Sequence, residues 1–231
     1  MKKGYTRQYF EQRDLLIPHM ANVIKSLAKS KKLIKVLDVG CGTGRLVKFL
    51  NDSGFKAIGC DSSEKAVEKA KKLNKKGIII KASASRLPFG KNSFDLITAI
   101  SVIEHLKKSE SENFFKEARR TLKPEGFIFL VTPNFATPLR IIQGKNWFAY
   151  KDPTHINFFT PGKLFKMLKR YGFFDPKFLF KIDYDKSLNW EFPSFFLKLP
   201  KLTKKILIYL LFSTPLSLIR NSFWIAAQKD D

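Results

Sequence analysis

The sequence predicts an α/β fold built on a mostly parallel sheet of seven strands. Short apolar runs alternate with stretches of helical periodicity between residues 33 and 132. A glycine-rich turn follows the first of these runs, where a strand is expected to lead into a helix. The chain has 231 residues, 44% of them hydrophobic and 27% charged, which suits one α/β domain over residues 1–231. Alternating strands and helices indicate βαβ units and therefore a largely parallel sheet.

The individual elements follow from periodicity, helix caps and helix breakers. An N-terminal helical cap is expected over 5–30, with Pro18 bending or dividing it. Strands are expected at 34–39, 56–60, 77–81, 94–100, 127–132, 177–184 and 221–229. Helices are expected at 44–53, 63–74 (capped by Ser62 or Ser63), 109–122 and 161–171. The stretch 133–160 shows no regular periodicity and is interpreted as a loop.

The charge of the chain is strongly positive. Lys and Arg number 43 against 20 acidic residues, for a net charge of +23. Such a field attracts nucleic acid, anionic lipid headgroups or acidic substrates. The lysines are spread along the chain, however, and a lysine-rich composition that keeps the surface solvated explains them equally well.

Cysteine usage and hydropathy narrow the class of protein. Cys41 and Cys60 form no CxxC pair, so a disulfide framework or a metal site is poorly supported, and a reducing cytoplasm is the default expectation. The N-terminus carries basic residues without an apolar stretch behind them, unlike a secretory signal. No run of 18 apolar residues occurs, which argues against a conventional membrane span.

The segment VLDVGCGTG at 36–44 carries the most specific signal. Its glycines permit a tight turn and a close approach of the backbone to a ligand, and the helix that follows favours an anion. The dinucleotide fingerprint would require glycine where Arg45 stands, which favours a ligand without a pyrophosphate. Asp61, 21 residues after Gly40, ends the second strand, where a carboxylate can accept hydrogen bonds from ribose hydroxyls.

This segment resembles motif I of the class I (Rossmann-like) S-adenosylmethionine-dependent methyltransferases of the small-molecule and lipid-precursor type. Three further segments are similar to that family: SASRLPF at 83–89, FDLITAISVIEHL at 94–106 and LKPEGFIFLVTPN at 122–134. The resemblance covers residues 33–175. It implies a Rossmann-like sheet with helices on both faces, an antiparallel last strand, and S-adenosyl-L-methionine as cofactor.

The resemblance also implies roles for individual residues. Asp38 and the glycine loop would hold the methionine end, Asp61 the ribose, and the loop around Ser85 the adenine. Ser83 stands where relatives often carry an acid, so the adenine amino group is expected to meet a neighbouring group instead. The implied cofactor site comprises Asp38, Gly40, Cys41, Gly42, Thr43, Gly44, Asp61, Ser62, Ala84, Ser85, Ile100, Ser101 and His105.

A second segment, DPTHINFFTPGKLFKMLKRYGF at 152–173, concerns the methyl acceptor. It resembles a segment of small-molecule and lipid-precursor methyltransferases, including those of ubiquinone biosynthesis, whose histidine-bearing loop lies over the active site. His155 is therefore the candidate general base, since an imidazole pKa near ~6.5 suits that task. The alternative is a histidine that makes only a structural hydrogen bond.

Other groups on the acceptor side leave two interpretations open. Tyr9 and Arg13 either close over the methionine carboxylate or serve as a packed aromatic and a surface arginine. The aromatic residues near His155 either form a wall of the acceptor pocket or pack the loop onto the sheet. They are Trp147, Phe148, Tyr150, Phe158 and Phe159.

The apolar and basic insertion at 193–220 also has two interpretations. It is too short and too interrupted by proline to span a membrane. Its lysines and aliphatic residues suit peripheral contact with an anionic membrane. Alternatively, it forms a pair of helices that cap the sheet before the last strand.

Taken together, these features predict in-line methyl transfer to a small-molecule or lipid-linked acceptor. The net charge keeps an RNA methyltransferase as an alternative. The fourth strand lacks the Asn/Asp-Pro-Pro-aromatic motif of base amine methylation, and no Pro-Cys nucleophile for cytosine chemistry is present. A non-catalytic binding protein is the third class, which the intact glycine loop and Asp61 disfavour.

Overall fold

The computed structural model describes residues 20–179, 196 and 198–230. Helix α1 occupies 20–30, whereas residues 5–19 of the predicted cap, with Tyr9 and Arg13, lie outside the described residues. The strands are β1 Lys35–Val39, β2 Lys56–Asp61, β3 Ile78–Lys81, β4 Phe94–Ile100, β5 Leu122–Pro133, β6 Phe173–Phe178 and β7 Ser222–Lys229. The further helices are α2 Arg45–Asp52, α3 Glu64–Leu73, α4 Lys108–Thr121, α5 Pro138–Gln143, α6 Phe148–Lys151, α7 Pro161–Arg170 and α8 Lys201–Ser213.

The seven strands form one sheet in the order β3-β2-β1-β4-β5-β7-β6. β1, β2, β3, β4 and β5 pair in parallel. β7 lies between β5 and β6 and runs antiparallel to both. This confirms the predicted seven-stranded, mostly parallel sheet with an antiparallel last strand. The chain order reverses at β1, with β2 on one side and β4 on the other, and ligands bind at the carboxyl ends of strands at such a point.

The sheet is covered on both faces, as predicted. Adjacent residues of one strand point to opposite faces, so Val36 joins the cluster that contains α1 and α2 residues. Leu37 joins the cluster on the other face, with residues of α4 and α7. In β5, Phe129 belongs to the first cluster and Ile128 to the second. Both clusters bury aliphatic and aromatic side chains, and their burial is the main force that stabilises the fold.

Helix starts follow the capping residues of the sequence. The Ser63 hydroxyl accepts a hydrogen bond from the Ala66 N–H at the start of α3, so Ser63 rather than Ser62 is the cap. The Thr160 hydroxyl caps α7 in the same way, with Pro161 at the first helical position. None of the described helices is long and apolar enough to cross a membrane.

Three elements differ from the sequence-based expectation. β5 begins at Leu122 and β6 at Phe173, each earlier than predicted, and residues 180–184 lie outside the described residues. Each of these strands has one shift of register, and a residue with positive φ lies within it, Glu125 in β5 and Asp175 in β6. Pro176 is tolerated because β6 is an edge strand. The expected loop 133–160 contains α5, α6 and a 3₁₀ turn at Gly144–Asn146.

Candidate functional site

The glycine loop between β1 and α2 is held by its own backbone. Gly40 and Cys41 both donate their N–H groups to the Cys60 carbonyl at the end of β2, at 2.7 and 3.0 Å. Gly40, Gly42 and Gly44 have φ of +69°, +55° and +77°, a conformation that side chains other than glycine rarely adopt. This places the loop over the carboxyl ends of the central strands.

The three glycines serve different purposes. A Cβ at Gly40 would lie 2.5 Å from Val102 Cγ2, and one at Gly44 would lie 2.5 Å from Asn74 Nδ2. Nothing lies within 4 Å of a Cβ placed on Gly42. Gly40 and Gly44 are therefore required by packing, whereas Gly42 leaves open space in which a ligand can approach the backbone.

Asp61 ends β2 beside this open space. Its Oδ2 accepts the Gly42 N–H and its Oδ1 accepts the Ser63 N–H, both at 2.9 Å. Each carboxylate oxygen has a second lone pair for a ligand hydroxyl. Ser62 is exposed next to it. The arrangement fits a ribose, because two oxygens of one carboxylate face the edge that the glycine loop leaves open.

Asp38 lies beneath the loop and is almost fully buried. Its Oδ1 accepts a hydrogen bond of 2.7 Å from the Thr98 hydroxyl of β4. Asp38 thus places a carboxyl group, oriented by Thr98, next to the loop, and a carboxylate there would fit an ammonium group such as the one at the methionine end of the cofactor. The sequence did not single out Thr98, because a lone threonine in an apolar strand carries no motif.

The packing under the loop involves the two cysteines, which are buried free thiols. Burial, followed by the nearby charges of Asp38 and Asp61, raises the pKa of Cys60 to about 12 and that of Cys41 still further. A Cβ on Gly59 would lie 2.8 Å from Cys41 Sγ. Cys41 therefore lines the loop from below as a neutral group, and Gly59 is a structural requirement that sequence reasoning missed.

The loop expected near the adenine follows β3. The Ala82 N–H donates to the Asp61 carbonyl at 3.0 Å, which holds this loop beside the ribose-binding position. Ala84 is buried, and the Ser83 and Ser85 hydroxyls lie 2.9 Å apart. The predicted adenine residues are therefore adjacent to Asp61 in space.

The turn after β4 forms the floor of the same edge. Ser101 has φ +50° and donates its N–H to the Val131 carbonyl at 2.9 Å. A 3₁₀ turn, Ile103–His105, follows. Ile100 and Ser101 are half-buried. The residues predicted to bind the cofactor lie in the loops that follow β1, β2, β3 and β4, and the structure brings these four loops to one edge of the sheet. Thr43 belongs to the first of them, the glycine loop.

His105 and His155 lie against one another although they are 50 residues apart. Their ring centroids are 4.7 Å apart. His105 Nδ1 is 2.9 Å from the Thr154 hydroxyl, which itself donates to Asp152 Oδ1. Since that hydroxyl has only one proton, His105 Nδ1 carries a hydrogen and donates it. His155 Nδ1 lies 2.9 Å from the Ala149 carbonyl and must also donate.

These hydrogen bonds use the Nδ1–H of each ring, so Nε2 is the ring nitrogen at which a proton can be taken up or released. His155 Nε2 is 3.6 Å from Asp152 Oδ2. Burial acts to raise the pKa of Asp152, but two hydrogen bonds from Thr154 and the charges of both histidines outweigh it and hold the pKa below its usual value. Asp152 therefore favours its ionised form beside the His155 ring.

The described residues also offer one cluster of possible metal ligands. One ligand atom from each of Glu104, His105 and His155 lies within 4.8 Å of the others. Glu104 Oε2 accepts a hydrogen bond from the Thr132 hydroxyl at 3.1 Å. The sequence-based expectation of no metal site remains a prediction, which chelation can test.

The aromatic residues of this region divide into two groups. Trp147 is fully buried, and its indole N–H donates to Asn221 Oδ1 at 2.8 Å, so it packs the loop onto the sheet. Tyr150 is 41% exposed, and Phe158 lies between it and Phe135, with ring centroids 6.0 and 5.0 Å away. Phe159 is buried like Trp147, whereas Phe148 and Phe158 are half-buried.

Comparisons with known proteins agree with this geometry. A family model described as a methyltransferase domain matches residues 8–174. A ubiquinone biosynthesis O-methyltransferase of Pelagibacter ubique is 36% identical over 114 residues, 48% of this chain and 47% of that one. A demethylmenaquinone methyltransferase of Thermotoga maritima is 31% identical over 169 residues, 62% of this chain and 73% of that one.

The chain thus spans about half the length of the Pelagibacter relative. Among solved structures, a SAM-dependent methyltransferase of Thermotoga maritima, described as a possible histamine N-methyltransferase, superposes with a TM-score of 0.64 at 20% identity. The match covers 96% of this chain and 94% of that one. This similarity concerns the fold.

Proposed function

Because this chain belongs to the S-adenosylmethionine-dependent class I methyltransferases, we propose that it methylates a hydroxyl group of a small-molecule or lipid-linked acceptor. The main support for the cofactor site is Asp61. The N–H groups of Gly42 and Ser63 orient its two carboxylate oxygens beside the open space at Gly42. When bound, S-adenosyl-L-methionine supplies an electrophilic methyl group on a sulfonium centre.

The chain's own residues would hold the cofactor at three points. Asp61 would accept the ribose hydroxyls, buried Asp38 would face the methionine ammonium, and Ala84 with Ser85 would border the adenine. Arranging the two reactants in line accounts for most of the rate of such a displacement, because no covalent intermediate with the protein is formed.

His155 is the proposed general base for the acceptor hydroxyl. Its Nδ1–H is donated to the Ala149 carbonyl, so Nε2 is the nitrogen that takes the proton. Asp152 Oδ2, 3.6 Å from Nε2, stabilises the imidazolium that results. His105 packs against the ring and orients it. The name of one relative, a ubiquinone biosynthesis O-methyltransferase, supports a hydroxyl group as the acceptor.

A methyl-transfer screen with labelled cofactor tests the proposal. The acceptors would be short-chain hydroquinones and catechols, a bacterial lipid extract, and total RNA. We expect transfer to a phenolic or lipid-extract acceptor. Labelling of RNA alone would overturn the acceptor class, and an absence of cofactor binding in calorimetry would overturn the enzymatic assignment.

Paired substitutions test the base. His155→Gln is expected to lower kcat about 10²- to 10⁴-fold, with cofactor affinity unchanged. His105→Gln is the matched control and should cost much less. A larger loss in His105→Gln would refute the assignment to His155. Loss of activity on chelation, restored by a divalent cation, would show that the cluster works through a metal.

A further inference from the structure

Two helices and one turn expose aliphatic side chains to an unusual degree. They are α5, α8 and the 3₁₀ turn Pro215–Ile219 between α8 and β7. Single exposed apolar residues are ordinary, but contiguous ones mark interaction surfaces. The exposed fractions are Ile141 76%, Ile142 63%, Leu202 70%, Ile206 52%, Tyr209 63%, Leu216 47% and Ile219 39%. We call these seven residues the apolar surface.

In helix α8, packing against the core does not explain why the exposed side chains are apolar. Leu207, Ile208 and Leu211 of this helix pack against the core cluster on one face of the sheet. Leu202, Ile206 and Tyr209 are spaced by four and three residues, so they form a second stripe on a different face of the helix. The helix is therefore apolar on its inner face and on an outer one.

The separate parts of the apolar surface are joined at Thr137. Its hydroxyl caps α5 by accepting the Leu139 N–H, and it donates to the Ile219 carbonyl at 2.5 Å. With a helical rise of about 1.5 Å per residue, Ile141 and Ile142 lie roughly 6–8 Å along α5 from this contact. The exposed residues of α5 and of the turn after α8 are thus neighbours.

The charges around the apolar surface have one sign. No acidic residue occurs in 126–151 or in 192–229. Five lysines of these two segments are exposed: Lys145, Lys151, Lys198, Lys201 and Lys205. An aliphatic surface with basic residues and no acids is complementary to an anionic bilayer, whose acyl chains accept the isoleucines and leucines and whose headgroups attract the lysines.

From this complementarity we infer that the apolar surface docks on membranes that contain anionic lipid. Nucleic acid would use the lysines but has no use for six aliphatic side chains. A lipid-linked methyl acceptor lies in a membrane, so an enzyme that methylates it would need to contact the membrane. This connection between the apolar surface and the acceptor rests on the proposed function, whereas the surface itself does not.

The surface also lies beside the proposed acceptor site. The Asn134 side-chain amide donates to the Leu218 and Arg220 carbonyls at 2.6 and 3.1 Å. The same residue pairs through its backbone with Phe159, four residues after His155. Asn134 therefore connects the turn Pro215–Ile219 with the histidine-bearing loop through buried contacts.

Vesicle flotation with the full chain tests the inference. We expect binding at low salt to vesicles of phosphatidylglycerol and phosphatidylcholine, and weak binding to phosphatidylcholine alone. Ile141→Ser/Ile142→Ser and Leu202→Ser/Ile206→Ser should each weaken binding at least about 10-fold, since each buried aliphatic side chain contributes substantially to partitioning. The matched control is Ile34→Ser/Ile78→Ser, because both residues are 55% exposed and lie at the amino ends of β1 and β3, outside α5 and α8. It should bind like the parent.

Charge variants provide a second comparison. Lys201→Gln/Lys205→Gln should weaken binding about 20-fold at low salt, whereas Lys71→Gln/Lys72→Gln on α3 should have a small effect. Circular dichroism and urea unfolding would verify that all variants fold. Equal losses in test and control pairs, no flotation of the parent, or a dimer that the serine variants dissociate would each overturn the inference. Vesicle binding without methylation of any hydroxyl acceptor would refute the proposed function and leave the membrane surface standing.

Discussion

Replacement of Asp61 by asparagine tests the donor site most directly. In Asp61→Asn one acceptor oxygen becomes an amide that can only donate, while the other oxygen remains an acceptor. The variant therefore loses either the Gly42 or the Ser63 backbone bond and one of the two bonds expected to the ribose. The fold at this position should persist, because the remaining oxygen still bonds one backbone N–H.

The expected loss follows from the hydrogen bonds involved. A hydrogen bond to a charged group contributes about 1.5–3 kcal/mol, which corresponds to roughly a 10- to 150-fold weaker Kd. Isothermal titration calorimetry with S-adenosyl-L-methionine, and separately with S-adenosylhomocysteine, would measure it. Both ligands carry the ribose, so both affinities should fall by a similar factor.

Asp95 offers a matched control within the same sheet. Its Oδ2 accepts the Ile34 and Lys35 N–H groups at 3.0 and 2.7 Å, but at the opposite edge. Asp95→Asn should therefore reduce stability without changing the cofactor Kd. A Kd for Asp61→Asn within twofold of the parent, or an equal loss in both variants, would refute the assignment of Asp61 to the ribose.

Three further predictions concern the stability of the fold and the reactivity of its thiols. Gly44→Ala should reduce the free energy of unfolding by about 2 kcal/mol more than Gly54→Ala in urea titrations, because both have positive φ but only the first meets neighbouring atoms; equal losses would contradict this. Burial acts to raise the pKa of Asp95, yet the hydrogen bonds from Lys123, Lys35 and Ile34 hold it below its ordinary value. The contribution of Asp95 to stability is therefore present above the ordinary carboxyl pKa near ~4 and is lost as pH falls through the lower pKa of the folded state. The parent and Asp95→Asn should accordingly converge in stability in acid. A difference that stays constant down to pH 2 would contradict this prediction. Cys41 and Cys60 should react slowly with a thiol reagent at pH 8 in the folded protein and rapidly in urea, because burial raises both pKa values; rapid labelling of the native state would show that the thiols are not buried.

The donor half of the site was predictable because it is local in the chain. Residues 36–61 form one strand, loop, helix and second strand, and Gly40, Gly42 and Gly44 have the positive φ that the turn between the first strand and the helix adopts. The remaining strands were predictable because buried residues give them a recognisable apolar pattern, and this pattern predicted seven strands in all. The boundaries of β5 and β6 were wrong because a bulge and an edge-strand proline resemble strand ends in a sequence.

The acceptor half required the tertiary structure. His105 meets His155 from 50 residues away, and in the donor half the contact of Thr98 with Asp38 likewise spans 60 residues. No local pattern encodes these contacts, because side-chain neighbours across loops are set by how the elements pack. By itself the sequence determined the sheet, the cofactor and the position of Asp61. Only the packing decided that Nδ1 of His155 meets the Ala149 carbonyl, that Trp147 is buried against Asn221, and that α5 and α8 expose aliphatic side chains.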